Sequence, residues 1–237
     1  MPAYTRRQLK EDKFAKGTQE AVHWATEHRQ LLIMAIGTIL VVGIAVTIFL
    51  AWTSHQSEKA NLGFGKALQT SVAPIRPPNT PADPNMKSFA SMSERAKEAE
   101  KEFKAVADQY PHTSPGKIAR YMAGTAAAQA GDNAEAERLL KSAADERDKS
   151  ISALAKLALA NFYRDTNRPS DAAKLYKDLT DHPTDTVSKG QAQLQLAEMY
   201  ETIDPNEAKN IYQQIQKEDA QSAAGMIAAS KLASLNK

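Results

Sequence analysis

The sequence predicts an all-α protein: a single N-terminal transmembrane helix, then an α-solenoid of about four helical hairpins with a C-terminal capping helix. Three observations predict it. Ala99, Ala136, Ala172 and Ala208 recur at steps of 37, 36 and 36 residues, each followed four residues later by a bulky side chain, Phe103, Leu140, Tyr176 or Tyr212. A second register, Ala123-Gly124, Leu159-Ala160, Leu196-Ala197 and Leu232-Ala233, keeps the same period. Ahead of both, residues 31–52 form an apolar run without a charge. A fixed period of this size marks stacked helical hairpins, because one hairpin cannot bury its apolar face alone and must pass it to the next.

The columns follow from close packing. Ala and Gly let neighbouring helices approach to contact, and the larger residue four positions on fills the gap between hairpins. The stripe Tyr163, Tyr176, Tyr200 and Tyr212 is therefore read as core, since helical spacing alone accounts for it.

These residues carry a resemblance to tetratricopeptide-type repeats, whose first helix holds a large-small pair and an aromatic, and whose second holds Ala, an aromatic four residues later, and a closing Pro. The third unit is clearest, with Leu159-Ala160, Tyr163, the turn Thr166-Asn167-Arg168-Pro169, Ala172, Tyr176 and Pro183. The second supplies Gly124, the turn Gly131-Asp132-Asn133, Ala136 and Leu140; the first supplies Ala99, Phe103 and Pro111. Ala127 stands where an aromatic is expected, no Trp opens a repeat, and the period exceeds the usual 34 residues or so. The resemblance is to longer, degenerate members of the superfamily and covers residues 58–235.

The elements can be taken in order. Residues 1–30 are a basic stub, with a juxtamembrane helix over 9–28 that is read as lying at the membrane surface. Residues 31–52, as a helix, span about 33 Å against a bilayer core of about 30 Å, flanked by Trp24 and Trp52. A cleavable signal peptide fits less well, because its apolar core is about 7 to 15 residues and no A-x-A site follows here. Arg6, Arg7, Lys10, Lys13, Lys16 and Arg29 precede the span, whereas only Lys59 and Lys66 follow closely, which places the N-terminus in the cytoplasm. Gly43, Thr47 and Ala51 fall every fourth residue, a spacing at which small residues mark contacts between transmembrane helices.

The solenoid domain takes residues 53–237. Its first helix is expected at 58–71, with Leu62-Gly63 in the large-small column. The next column residue, Ala99, comes 24 residues later than in the following hairpin, so an insertion separates the two helices. Pro74, Pro77, Pro78, Pro81 and Pro84 fall within it, which excludes helix and favours an extended, solvated loop over about 73–87. Stop signals then bound helices at 88–109, 116–130, 133–145, 150–165, 170–181, 188–203, 205–217 and 222–235.

Chemistry is sparse. The 237 residues carry 30 Lys and Arg against 28 Asp and Glu, a net charge of +2 that gives no electrostatic footprint for nucleic acid. There is no cysteine, hence neither disulfide nor thiolate chemistry. His23, His28, His55, His112 and His182 are scattered without zinc-site spacing. No nucleophile elbow or phosphate-binding loop occurs, and Glu94, Glu98 and Glu102 beside Lys97 and Lys101 read as a solvated helix face. The expectation is a non-enzymatic protein without cofactor, metal or small-molecule substrate.

Binding is what remains. First helices line the inner face of such a solenoid, where Tyr121, Thr125, Gln129, Asn161, Arg164, Asp165, Glu198 and Glu201 are the candidate partner-binding residues. Some tetratricopeptide proteins hold a partner's terminal carboxylate with a Lys four residues before an Asn; here Leu157 precedes Asn161, so that clamp is not supported.

The layout of basic stub, one span and repeats is similar to that of the membrane-anchored ancillary subunits of the SecYEG translocon (YfgM-like proteins), including the entry segment from Thr5 to Phe14. The resemblance implies a bacterial inner-membrane protein with periplasmic repeats, whose partners are the translocon and periplasmic chaperones, besides the lipid around its span. A scaffold for cell division or outer-membrane assembly, and an adaptor facing the cytoplasm, stay open as alternatives.

Overall fold

In the computed structural model the described residues are 23, 24, 26–78, 80, 81 and 86–235; the expected helix at 9–28 falls almost wholly outside them. Nine helices are named along them: α1 (Arg29–Ser71), α2 (Met92–Gln109), α3 (Ser114–Ala130), α4 (Asn133–Ala144), α5 (Lys149–Asp165), α6 (Pro169–Asp181), α7 (Lys189–Ile203), α8 (Pro205–Glu218) and α9 (Ala223–Leu235). No strand occurs among the described residues, only an isolated parallel bridge between Ile75 and Phe89. The chain divides into two compact units, Met1–His55 and Gln56–Lys237.

In the first unit, the apolar stretch of α1 has a mean hydropathy of 2.8 over its best window and no buried surface there, so it is long and apolar enough to cross a membrane. Its hydroxyls are satisfied within the helix: Thr38 donates to the Met34 carbonyl and Thr47 to that of Ile44, each at 2.8 Å. That is what hydrocarbon demands of a polar side chain, because no water is there to replace the bond. The expected break between residues 52 and 58 is absent, and one helix runs through. Residues 53–57, Thr-Ser-His-Gln-Ser, contain neither Gly nor Pro, so no helix breaker interrupts it.

In the second unit each helix packs on the next in sequence, and α3 also touches α5, as α7 does α9. The starts are written in the sequence. Side chains of Ser91, Thr113, Asp132, Asp148, Ser188 and Asp204 accept backbone N–H groups of α2, α3, α4, α5, α7 and α8. Such caps contribute about 1 kcal/mol each. α6 lacks a side-chain cap and starts on Pro169, whose missing N–H would have had no helical partner. At the end of α3, Gly131 takes φ +88°, the left-handed conformation that suits a C-terminal glycine.

The core has the predicted period. Ala136, Ala172 and Ala208 are wholly inaccessible and Ala99 nearly so, as are Phe103, Leu140, Tyr176 and Tyr212. A Cβ on Gly124 would come within 2.8 Å of the Leu140 side chain, so any larger residue there would have to displace Leu140. One cluster joins α3 through α9, and another joins α1 through α2 and α3 to Leu139 of α4.

The first hairpin departs from expectation in two ways. Gly63 is in its column, facing Val106, but Leu62 is 73% exposed, because α1 is the first helix of the stack among the described residues. The insertion is only partly a solvated loop. Its base is closed by backbone bonds from Arg76 N–H to the Phe89 carbonyl (2.8 Å) and from Phe89 N–H to that of Pro74 (3.1 Å), with Ala73 and Phe89 buried.

Ala172→Leu is expected to cost about 1 to 3 kcal/mol by forcing bulk into a full helix contact, whereas Leu62→Ser, at an exposed site, leaves the unfolding temperature within a degree or two of wild type. Thermal unfolding followed by circular dichroism checks the pair; equal midpoints would contradict the register.

Candidate protein-binding groove

Between α3 and α5 the first helices of adjacent hairpins leave an open cavity of about 610 Å³. Its lining includes Tyr121, Thr125, Gln129, Leu157, Asn161 and Asp165, five of them candidates drawn from the sequence. The repeat explains why they meet: Thr125 and Asn161 are 36 residues apart, each directly after its large-small pair, and so occupy equivalent positions. Leu154, Leu157, Ala158 and Tyr121 supply apolar walls. The lining contains no Lys, Arg or His, and Asp165 is its one carboxylate. Burial pushes the Tyr121 phenol above its ordinary pKa.

The other three candidates do not line this cavity. Arg164 donates from Nε to Asp165 Oδ1 (3.1 Å) and from Nη1 to Gln195 Oε1 of α7 (3.1 Å), while Gln195 in turn donates to Glu198 (3.0 Å). Glu201 accepts the Tyr212 hydroxyl at 2.6 Å and meets Lys231 of α9 at 3.0 Å. Its contacts tie three helices together. On α1, Gly43, Thr47 and Ala51 share a face, and a Cβ on Gly43 would meet nothing within 4 Å.

The polar residues that hold the hairpins in register were not singled out in the sequence. Glu137 on α4 accepts from Lys141 (2.7 Å), from Arg168 at the start of α6 (2.8 Å) and from the Tyr163 hydroxyl of α5 (3.0 Å), and these bonds, Lys141's foremost, hold its carboxyl at about 2. Arg168 also lies over the Tyr163 ring, 4.1 Å from its centroid. Glu135 receives Arg138 and, across from α2, Lys104; Arg138's bonds foremost, it too is held at about 2. Glu94 and Glu102, expected on a solvated face, have specific tasks. Glu94 accepts the Ala90 N–H while Ser91 accepts the Glu94 N–H, so the two side chains together close the start of α2. Glu102 accepts from Thr70 of α1 and from Lys87 of the insertion. The partners on other elements, Lys104 for Glu135, Arg168 and Tyr163 for Glu137, and Thr70 and Lys87 for Glu102, lie 15 to 32 residues away in chain order, so a single sequence does not reveal them.

Among the described residues no group of three metal-ligating side chains occurs. The sequence matches the tetratricopeptide repeat-like domain family over residues 22–182. The chain belongs to that family. Its members are typically protein-binding scaffolds rather than catalysts. The match ends just after α6, yet the columns of the tetratricopeptide repeat-like domain continue through Leu196-Ala197, Ala208 and Tyr212, all buried. No curated protein and no solved structure matches the chain.

Glu135 and Glu137 generate an acid-side prediction. Both are held at about 2 in the fold against an ordinary 4.5, so their stabilisation is complete above about 4.5 and is lost as pH falls toward 2. The unfolding temperature is expected to drop across that window, and the drop to be smaller in Glu137→Gln, which no longer takes up the proton. Parallel curves for the two proteins would show that Glu137 is not held low.

Proposed function

We propose that this protein is a membrane-anchored scaffold that binds other polypeptides in its α3–α5 groove, with the repeats on the periplasmic side of a bacterial inner membrane, as an ancillary subunit that passes emerging chains from the translocon to chaperones. The observation that carries the binding role is the groove itself. Equivalent positions of successive first helices converge on a cavity large enough for a ligand, within the range of about 300 to 1,000 Å³ typical of binding sites. The apolar part of α1 supports anchoring, and the basic residues before it support the orientation.

The full chain is expected to stay in the membrane after an alkaline wash, because about 20 apolar residues inserted as a helix are held by hydrocarbon rather than by surface charge. Release into the supernatant would exclude the anchor. For binding, a photo-crosslinker at Thr125 in native membranes is expected to capture specific partners, and Tyr121→Ala/Asn161→Ala to reduce the yield at least fivefold in a folded protein. Capture that survives this double variant but disappears when residues 77–84 are deleted would move the site to the proline-rich insertion.

A further inference from the structure

One side of α9 is uncharged and open. Ala223, Met226, Ile227, Ser230, Ala233 and Ser234 follow the i, i+3, i+4, i+7 spacing of a single helix side, and all six are exposed, Met226 at 61% and Ile227 at 44%. The opposite side, Gly225, Ala228 and Leu232, is buried where α9 packs on α7 and α8. The one charge on α9, Lys231, pairs with Glu201 of α7 at 3.0 Å.

The repeat shows what this side does elsewhere. Ala153 of α5, Gly190 of α7 and Met226 of α9 are equivalent, at steps of 37 and 36 residues. Ala153 is buried with Leu179 of α6 and Ala192 of α7, and a Cβ on Gly190 would come within 2.8 Å of Ala224 of α9, so at both positions the following elements close over a small residue. Ala160 and Ala197 are likewise wholly inaccessible, whereas their equivalent, Ala233, is exposed. A further hairpin in the same geometry would meet the Met226 side chain where the earlier ones meet a hydrogen or a methyl group. The face therefore does not suit one more repeat.

Its pattern of sizes is self-complementary in one orientation. The two large side chains, Met226 and Ile227, precede the small ones, Ser230, Ala233 and Ser234. In an antiparallel pair about a two-fold axis at Ser230, Met226 opposes Ser234 of the second copy and Ile227 opposes Ala233, large on small throughout. A parallel pair would set Met226 on Met226 and leave gaps between the small residues.

We infer that α9 is the contact between two copies of this chain, paired antiparallel about an axis at Ser230, one patch meeting itself. The inference makes no use of the α3–α5 groove and rests on the proposed anchor in one respect. A single helix pair is smaller than the roughly 800 Å² per partner of a standard interface, so confinement of the copies to one membrane supplies the effective concentration that holds the pair.

The chain has no cysteine, so introduced cysteines report the contact without background. With the full chain in native membranes, oxidised before any wash, Ser230→Cys is expected to give a disulfide-linked dimer in at least tenfold greater yield than Leu62→Cys, an exposed position on α1. Two differently tagged copies carrying Ile227→Cys and Ala233→Cys are expected to link to each other at least fivefold more than either links to itself. Met226→Glu added to Ser230→Cys is expected to lower the dimer yield at least tenfold, with an unfolding temperature within a degree or two of the parent. Ile227→Ser, with a loss of at least threefold, serves if the Glu variant fails to fold.

Equal yields at Ser230 and Leu62, self-linked Ile227→Cys in excess of the mixed product, or a Ser230→Cys yield indifferent to Met226→Glu each overturns the inference. So does capture of a different protein at Ser230 in place of a second copy. Because oxidation precedes the wash, failure of the anchor is read separately, as release of the chain by alkali.

Discussion

How closely two helices can approach sets almost everything else in the repeat unit. Where Ala99, Ala136, Ala172 and Ala208 sit, the next helix lies directly against the Cβ, and at Gly124 even a Cβ would collide with Leu140. With that spacing fixed, the volume between successive hairpins has a definite size, and one large side chain four residues on fills it. In two of the four units that side chain is Tyr, which brings a hydroxyl into the core along with its ring. Close packing thereby creates a polar problem, since a buried hydroxyl without a partner costs about 1 to 3 kcal/mol.

These two tyrosines, and Tyr163 on the first helix of its hairpin, each find an acceptor, and the acceptors distinguish hairpins that are otherwise alike. Tyr163 gives its proton to Glu137, Tyr176 to Asn161 and Tyr212 to Glu201. Two of these acceptors are carboxylates, and both are also met by cations, Lys141 and Arg168 at Glu137 and Lys231 at Glu201. Glu137 accepts on both oxygens and Glu201 on Oε1, and both act as staples between helices. Asn161 is neutral and has a second end. It alone of the three can satisfy a core phenol and still offer hydrogen bonds to the groove, so the packing of α6 against α5 fixes the chemistry of the inner face.

The periodic part of this arrangement was legible because it is written in single positions: a small residue, a large one four later, and the same pair 36 or 37 residues on. Helix starts were legible to within a few residues, since Ser91, Thr113, Asp132 and Ser188 announce them locally. Five of the eight inner-face candidates reached one cavity for the same reason, equivalence under the repeat. What escaped was pairing between distant charged side chains. Glu102 and Glu94 were read alike from the sequence, but one contacts α1 and the insertion while the other closes its own helix start. Leu62 was misassigned because a column presumes neighbours on both sides, and the first helix of a stack has one.

The insertion shows how far the repeat tolerates change when its packing positions are left alone. In later hairpins two or three residues, or one, join the helices, as at Gly131-Asp132, Thr166 to Arg168 and Asp204. In the first the connection is many times longer, yet Ala99 and Phe103 still meet α1 as their counterparts meet α3 and α5. Closing a longer loop costs only about 0.6 kcal/mol per doubling of length, so length is a small penalty. Docking the base offsets it. Phe89 and Ala73 are buried, Arg95 donates to the Ala73 carbonyl at 3.0 Å, and Lys87 meets Thr70 and Glu102 at the seam between α1 and α2. The bonds that secure the loop are therefore made to the two helices it connects, and the spacing on which the next hairpin depends is the same as if the loop were short.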